Sequence, residues 1–206
     1  MIRAFTTAIS VAALGLITAL PATAQEPTGG VVSIGGAVTE IVFALGAQDQ
    51  LVARDTTSSY PPEAAALPDV GYMRALSPEG VLATGPKLII AEEGAGPPET
   101  IEVLEQADIP FVTVPDDYTA EGVSAKIRAV GQALGKEPQA EALAAEVHQK
   151  LAAVSRATQD RPEAERKRVM FILSTQGGRI MASGTDTAAA SMIDLAGAVN
   201  AVTGFA

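Results

Sequence analysis

Short, unbroken apolar runs alternate with stretches of helical periodicity through the first half of this chain. Val31-Val32-Ser33-Ile34, Leu51-Val52-Ala53, Lys87-Leu88-Ile89-Ile90-Ala91 and Ile109-Pro110-Phe111-Val112-Thr113-Val114 read as strands. They are too short for helices and are bounded by turn residues. Between them, helices are predicted over residues 39–45, stopped by Gly46, and 78–83, with Ser77 as cap, Pro78 at the first position and Glu79 in the first turn. A third is predicted over residues 98–107. Strand and helix alternating without interruption predict an α/β fold, a parallel sheet with helices on both faces.

From Thr119 the period becomes helical throughout. Val123, Ile127, Val130 and Leu134 mark a helix ending at Gly135, and Glu137-Pro138 restarts one that runs to about Arg156. Residues 161–167 form a charged linker, and Arg168-Val169-Met170-Phe171-Ile172-Leu173 reads as the first strand of a second unit. Gln176-Gly177-Gly178 turns, and a helix over residues 188–195 is capped by Asp186 or Thr187 and ends near Gly197. The chain therefore divides into an α/β unit at 31–118, a helical linker at 119–160 and the start of a second α/β unit at 167–206. That last unit would bury too little apolar area to be stable alone.

The first residues carry an export signal. Arg3 precedes an apolar run at residues 8–20, Pro21 breaks it, and Ala22-Thr23-Ala24 supplies a small-x-small cleavage site. The run is too short and too Ala-rich for a comfortable membrane span. The expected leader is residues 1–24, cleaved after Ala24. The chain has no cysteine, which excludes disulfides, thiolate metal sites, Cys nucleophiles and a lipid-tethered N-terminus. A net charge of -10 and a pI near 4.5 argue against nucleic acid as a partner. With one histidine and no G-x-S-x-G elbow, no nucleophile–base pair is visible, so an enzyme is not expected. Gly35-Gly36 lacks both the dinucleotide-binding spacing and a P-loop lysine. These glycines read instead as a site of close backbone approach.

Candidate chemistry concentrates in Gly71-Tyr72-Met73-Arg74, where a phenol and a guanidinium stand two residues apart after a glycine. In an extended loop both would point the same way and face one ligand. A ferric ion can displace the phenol proton, and a neighbouring cation stabilises the resulting anion. The other reading of the same residues is a half-buried loop tyrosine beside a surface charge. His148, inside the long helix, reads as packed or solvated rather than as a ligand.

The stretch Val70-Gly71-Tyr72-Met73-Arg74-Ala75-Leu76-Ser77-Pro78-Glu79 resembles the iron-ligand loop of periplasmic haem-binding proteins, the substrate-binding components of haem ABC importers. Val31-Val32-Ser33-Ile34-Gly35-Gly36-Ala37-Val38-Thr39-Glu40, Tyr60-Pro61-Pro62 and Gly85-Pro86-Lys87-Leu88-Ile89-Ile90 resemble the wider family that binds metal chelates, siderophores and cobalamin. The similarity runs from about Val31 to the end of the chain. Within it, Gly71-Tyr72-Met73-Arg74 and Gly184-Thr185-Asp186-Thr187-Ala188 carry the haem assignment.

This resemblance implies two Rossmann-like lobes joined by one long spine helix, the second lobe truncated, in a monomeric periplasmic protein. It implies that Tyr72 is the axial phenolate on the iron of ferric haem b, with Arg74 pairing near that oxygen or with a propionate. Gly184 and Thr185 would face the cleft and touch a haem edge or propionate. The alternative for them is a capping loop without ligand contact. Glu79 resembles the acidic residue that docks to an arginine of the inner-membrane permease, and it also suits a solvated helix start. Tyr60 would pack within its loop, and His148 would point away from the cleft. A ferric siderophore or cobalamin is the alternative cargo, weakened by the absence of Trp and a 4% aromatic content. Intact-mass measurement of the exported protein should show a chain beginning at Gln25; retention of Met1 would contradict the leader.

Overall fold

The computed structural model describes residues 29–159 and 161–205; the leader and its cleavage site after Ala24 lie outside the described residues. Strands β1 (Val31–Ile34), β2 (Leu51–Arg54), β3 (Leu88–Glu92) and β4 (Phe111–Val114) form one parallel sheet in the order β2-β1-β3-β4. Val32 pairs with Ala53 on one side and Ile89 on the other, and Ile90 pairs with Val112. Parallel neighbours need crossover connections, and helices supply them. These are α1 (Gly36–Ala44), α2 (Pro78–Leu82) and α3 (Pro98–Gln106).

Successive strand residues point to opposite faces, so each face acquires its own core. Val31, Leu51, Ile90 and Val114 pack with Val38 and Val42 of α1 and with Ile127 and Val130. Val32, Ile34, Ile89 and Ala91 pack on the other face with Met73, Val81 and Leu104. Both faces are covered, which is why these strands read as continuous apolar runs rather than as alternations. Ile127 and Val130 belong to α4 (Ala120–Ala133), capped by Thr119, whose hydroxyl accepts from the Gly122 amide at 3.0 Å. Helix α5 (Glu137–Gln159) folds back on α4 through buried Ala140 and Ala144. Its 23 residues span about 35 Å at 1.5 Å per residue.

The start of α1 differs from the sequence reading, which placed it at residue 39. Thr39 is fully buried inside the helix and belongs to a chain of hydroxyls. Ser33 and Thr39 lie 2.7 Å apart, Thr39 and Ser58 lie 2.6 Å apart, and Ser58 donates to Asp55 at 2.7 Å. Asp55, with no solvent exposure, also accepts from the amides of Gly35 and Thr57 and from the Thr57 hydroxyl. The helix start is held by residues 55–58, twenty positions away, rather than by a local cap, so Gly36 can already be helical.

Beyond the spine, β5 (Arg168–Val169) pairs in parallel with β8 (Val199–Asn200), and β6 (Ile172–Ser174) pairs antiparallel with β7 (Met181–Ala182). The single strand expected over 168–173 is therefore two pieces. Its halves take different partners, and the ladder breaks at Met170-Phe171. Met170, Phe171 and Leu173 stand 47%, 47% and 65% exposed. Helix α6 (Ala188–Leu195) is capped by Thr187, which accepts from the Ala190 amide at 3.1 Å. Thr158 of α5 donates to the Leu195 carbonyl at 3.0 Å, tying the spine to α6.

Replacing Asp55 with Ala strands several buried donors and should lower stability by about 3 kcal/mol in urea unfolding. Leu173→Ala, at an exposed position, should stay within about 0.5 kcal/mol. A small loss for Asp55→Ala would show that the hydroxyl network is incidental.

Candidate ligand-binding site

Residues 69–76 leave the sheet edge and reverse direction before α2. Val70, Met73 and Leu76 are buried at 7%, 8% and 4% exposure in the core beneath α2 and α3. Tyr72 is 48% exposed, and Arg74 is exposed beside it. The extended geometry expected here is instead a turn, with the Ala75 amide donating to the Tyr72 carbonyl at 2.8 Å. Gly71, at φ 101°, makes the reversal that a side-chain-bearing residue would adopt only under strain. Both polar residues still point out of the lobe, because the three apolar ones take the inward positions.

The turn is pinned at both ends. Asp69 Oδ1 accepts from the Gly71 amide at 2.8 Å and the Thr56 hydroxyl at 3.2 Å, and its Oδ2 accepts from Arg54 at 2.6 Å. The Val70 amide donates to the Arg54 carbonyl, and the Thr56 amide to the Gly71 carbonyl. On the far side, the Gly96 amide donates to Met73 and the Leu76 amide to Gly96. Partial burial pushes the Asp69 carboxyl up. The Gly71 amide, the Arg54 guanidinium and the Thr56 hydroxyl together outweigh this and hold it below its ordinary range. Sequence reasoning missed Asp69 and Arg54. The one local signal was Asp69-Val70-Gly71, the spacing of a side chain accepting from the amide two residues on.

Arg74 lines a cavity of about 650 Å³ with Met170, Phe171, Leu173, Thr187 and Met192, most of its wall apolar. A second cavity of about 760 Å³ lies among α1, α4, α5 and α6 and shares Met192 with the first. Its polar side holds Tyr60, Tyr118, Asp116 and Lys126. Lys126 is buried, bonds Glu92 and Asp116, and ties the ends of β3 and β4 to α4. The Asp116 carboxylate and then burial push the Tyr118 phenol above its ordinary pKa, against the opposing pull of Lys126 and Arg74. Tyr60, expected to pack, is 63% exposed on this cavity because Ala64 takes the core position of its loop.

The remaining sequence-predicted residues fall in three places. Gly184 is buried, where a Cβ would collide with the Phe205 carbonyl, and Thr185 donates to that same oxygen through its amide at 2.7 Å and its hydroxyl at 3.2 Å. Their neighbours Ser183 and Thr187, rather than these two, line the Arg74 cavity. Glu79 is exposed in the first turn of α2, beside Ser77, whose hydroxyl accepts from Gly80 at 3.0 Å. His148 is half-buried and lines a further cavity of about 500 Å³ with Tyr118, Leu151 and Leu195. It thus sits on the side of the long helix that faces α6. Among the described residues no group of three or more His, Cys, Asp or Glu side chains could hold a metal ion.

The family described as periplasmic binding protein matches residues 31–204. A solved structure of the periplasmic heme-binding protein BhuT, in complex with two hemes, is 40% identical with a TM-score of 0.79, over 85% of this chain and 68% of that one. The periplasmic heme-binding protein RhuT from Roseiflexus sp. RS-1, in apo form, is 37% identical with a TM-score of 0.78, over 84% of this chain and 65% of that one. A vitamin B12-binding protein of Pectobacterium carotovorum subsp. carotovorum (strain PC1) is 31% identical over 170 residues. That alignment takes in 82% of this chain, which spans about 60% of the relative's length. The parallel sheet clothed on both faces and the long helix beyond it accord with these matches: the chain belongs to the periplasmic binding protein family.

Proposed function

We propose that this chain binds ferric haem in the periplasm and delivers it, as a monomer, to the permease of an ABC importer. The observation that carries the reading is an outward-facing phenol, Tyr72, on the same turn as a guanidinium that lines an apolar, haem-sized cavity. Haem is an apolar macrocycle bearing carboxylates. Phe171, Leu173 and Met192 offer it an apolar wall, and Arg74 offers a planar fork suited to a propionate or to the phenolate oxygen. Iron already held by a macrocycle needs one axial donor from the protein, and Tyr72 supplies it as phenolate. Tyr118 is the poorer ligand, because Asp116 beside it keeps its proton on. Gly184 and Thr185 shape the loop bordering the haem edge, and Glu79 offers a carboxylate to a permease arginine.

A second reading, cobalamin, is favoured by the vitamin B12-binding relatives in the sequence comparison. Hemin titration separates the two. Hemin should give a tyrosinate-ligated ferric spectrum that Tyr72→Phe abolishes, with affinity falling at least about tenfold. Arg74→Ala should perturb the spectrum, and Tyr118→Phe should leave the ligation intact. Unchanged hemin binding in Tyr72→Phe would refute the ligand assignment, and a cobalamin or ferric-siderophore complex tighter than the hemin complex would favour the second reading.

A further inference from the structure

Resting on the reading of Tyr72 as the iron ligand, we infer that Arg54 and Asp69 are positioning residues that set the direction of its phenol. The Asp69 carboxylate closes the turn on the Gly71 amide at 2.8 Å, and Gly71 is the residue whose positive φ immediately precedes Tyr72. Rotation about that glycine would swing the phenol as a unit, and a glycine is the residue least able to resist it. Resistance comes from outside the turn. Arg54 closes β2, its side chain is only 12% exposed, and its guanidinium holds Asp69 Oδ2 at 2.6 Å. The same guanidinium donates to the Asp55 carbonyl at 3.0 Å. Asp55 in turn is rooted in the buried hydroxyl network at the head of α1. A continuous path of hydrogen bonds therefore runs from the interior of the sheet through Arg54 and Asp69 to the Gly71 amide, one peptide before Tyr72. The Thr56 amide holds the carbonyl of the Gly71–Tyr72 peptide itself at 2.9 Å.

Magnitudes distinguish this role from a contribution to folding. Asp69 has 42% of its side chain exposed, and ion pairs open to water on one side add little to stability. The turn is already held to the core by Val70, Met73 and Leu76. What the pair controls is orientation. A misplacement of the donor oxygen by an ångström is enough to degrade a ligand bond even when the fold is intact.

The test uses the full-length protein, with hemin as probe and the phenolate-to-iron charge-transfer band as readout. Amide exchange at Gly71 and Tyr72 is followed in the hemin-free protein. Asp69→Ala should keep the urea midpoint close to that of the parent, speed exchange at Gly71, displace the charge-transfer band and weaken hemin about tenfold. Asp69→Asn keeps an oxygen for the Gly71 amide and the Thr56 hydroxyl, so it should restore most of the affinity. If Asp69→Ala does not fold, Arg54→Lys, which keeps the charge but loses the guanidinium geometry, is read in the same way. A parental band and affinity in Asp69→Ala, while Tyr72→Phe abolishes ligation, would overturn the positioning role alone. Unchanged hemin binding in Tyr72→Phe would overturn the ligand reading and this inference with it.

Discussion

Val70, Met73 and Leu76 are buried in the core beneath α2 and α3, and their burial decides where everything else in residues 69–76 must go. Each such side chain contributes about 1.5–3 kcal/mol when withdrawn from water. Together they outweigh any preference of one tyrosine for the interior, so Tyr72 and Arg74 are driven outward. The sheet beneath is rigid because it is packed on both faces, and its strand ends fix the hydrogen bonds that hold the turn. Sequence pattern, packing and site are thus one chain of cause: apolar residues inward at 70, 73 and 76, a positive-φ glycine at 71, and two polar side chains left outside the core, of which Arg74 lines the cavity shared with the second unit.

Electrostatics makes Arg74 more consequential than a single charge suggests. The chain carries a formal net charge of -10, an unfavourable background for a ligand bearing carboxylates. At physiological salt that background is screened beyond about 8 Å. Arg74 stands within that distance of any ligand seated against its apolar cavity wall, so local attraction can prevail over distant repulsion. Lys126, the other cation of this region, is already engaged by Glu92 and Asp116. It serves as a brace between strands and helix, and it leaves Arg74 as the cation lining the first cavity.

Much of the first lobe was legible in the sequence, because a parallel strand covered on both sides must be an apolar run and Ser77 is a good cap. The exposure of Tyr72 was foreseeable for the same reason, once its apolar neighbours were assigned to the core. What escaped was whatever depends on partners distant in sequence. Asp55 meets Gly35 across twenty positions, and Arg54 meets Asp69 across fifteen. Neither pairing leaves a local pattern. The split of residues 168–173 into β5 and β6 escaped for the same physical reason, since strand identity there is set by β8 and β7. Tyr60 was misplaced because a small residue, Ala64, fills the core under its loop.

The central claim is a bond between one phenolate oxygen and ferric iron, and resonance Raman spectroscopy of the hemin-loaded protein tests it most directly. Excitation in the charge-transfer band should enhance phenolate ring modes that shift when ring-deuterated tyrosine is incorporated, and the chain has only three tyrosines among which substitution can assign them. The account predicts that the isotope-sensitive modes vanish in the Tyr72→Phe protein and persist in the Tyr118→Phe and Tyr60→Phe proteins. A hemin complex without phenolate modes, or one whose modes survive the loss of Tyr72, would contradict it.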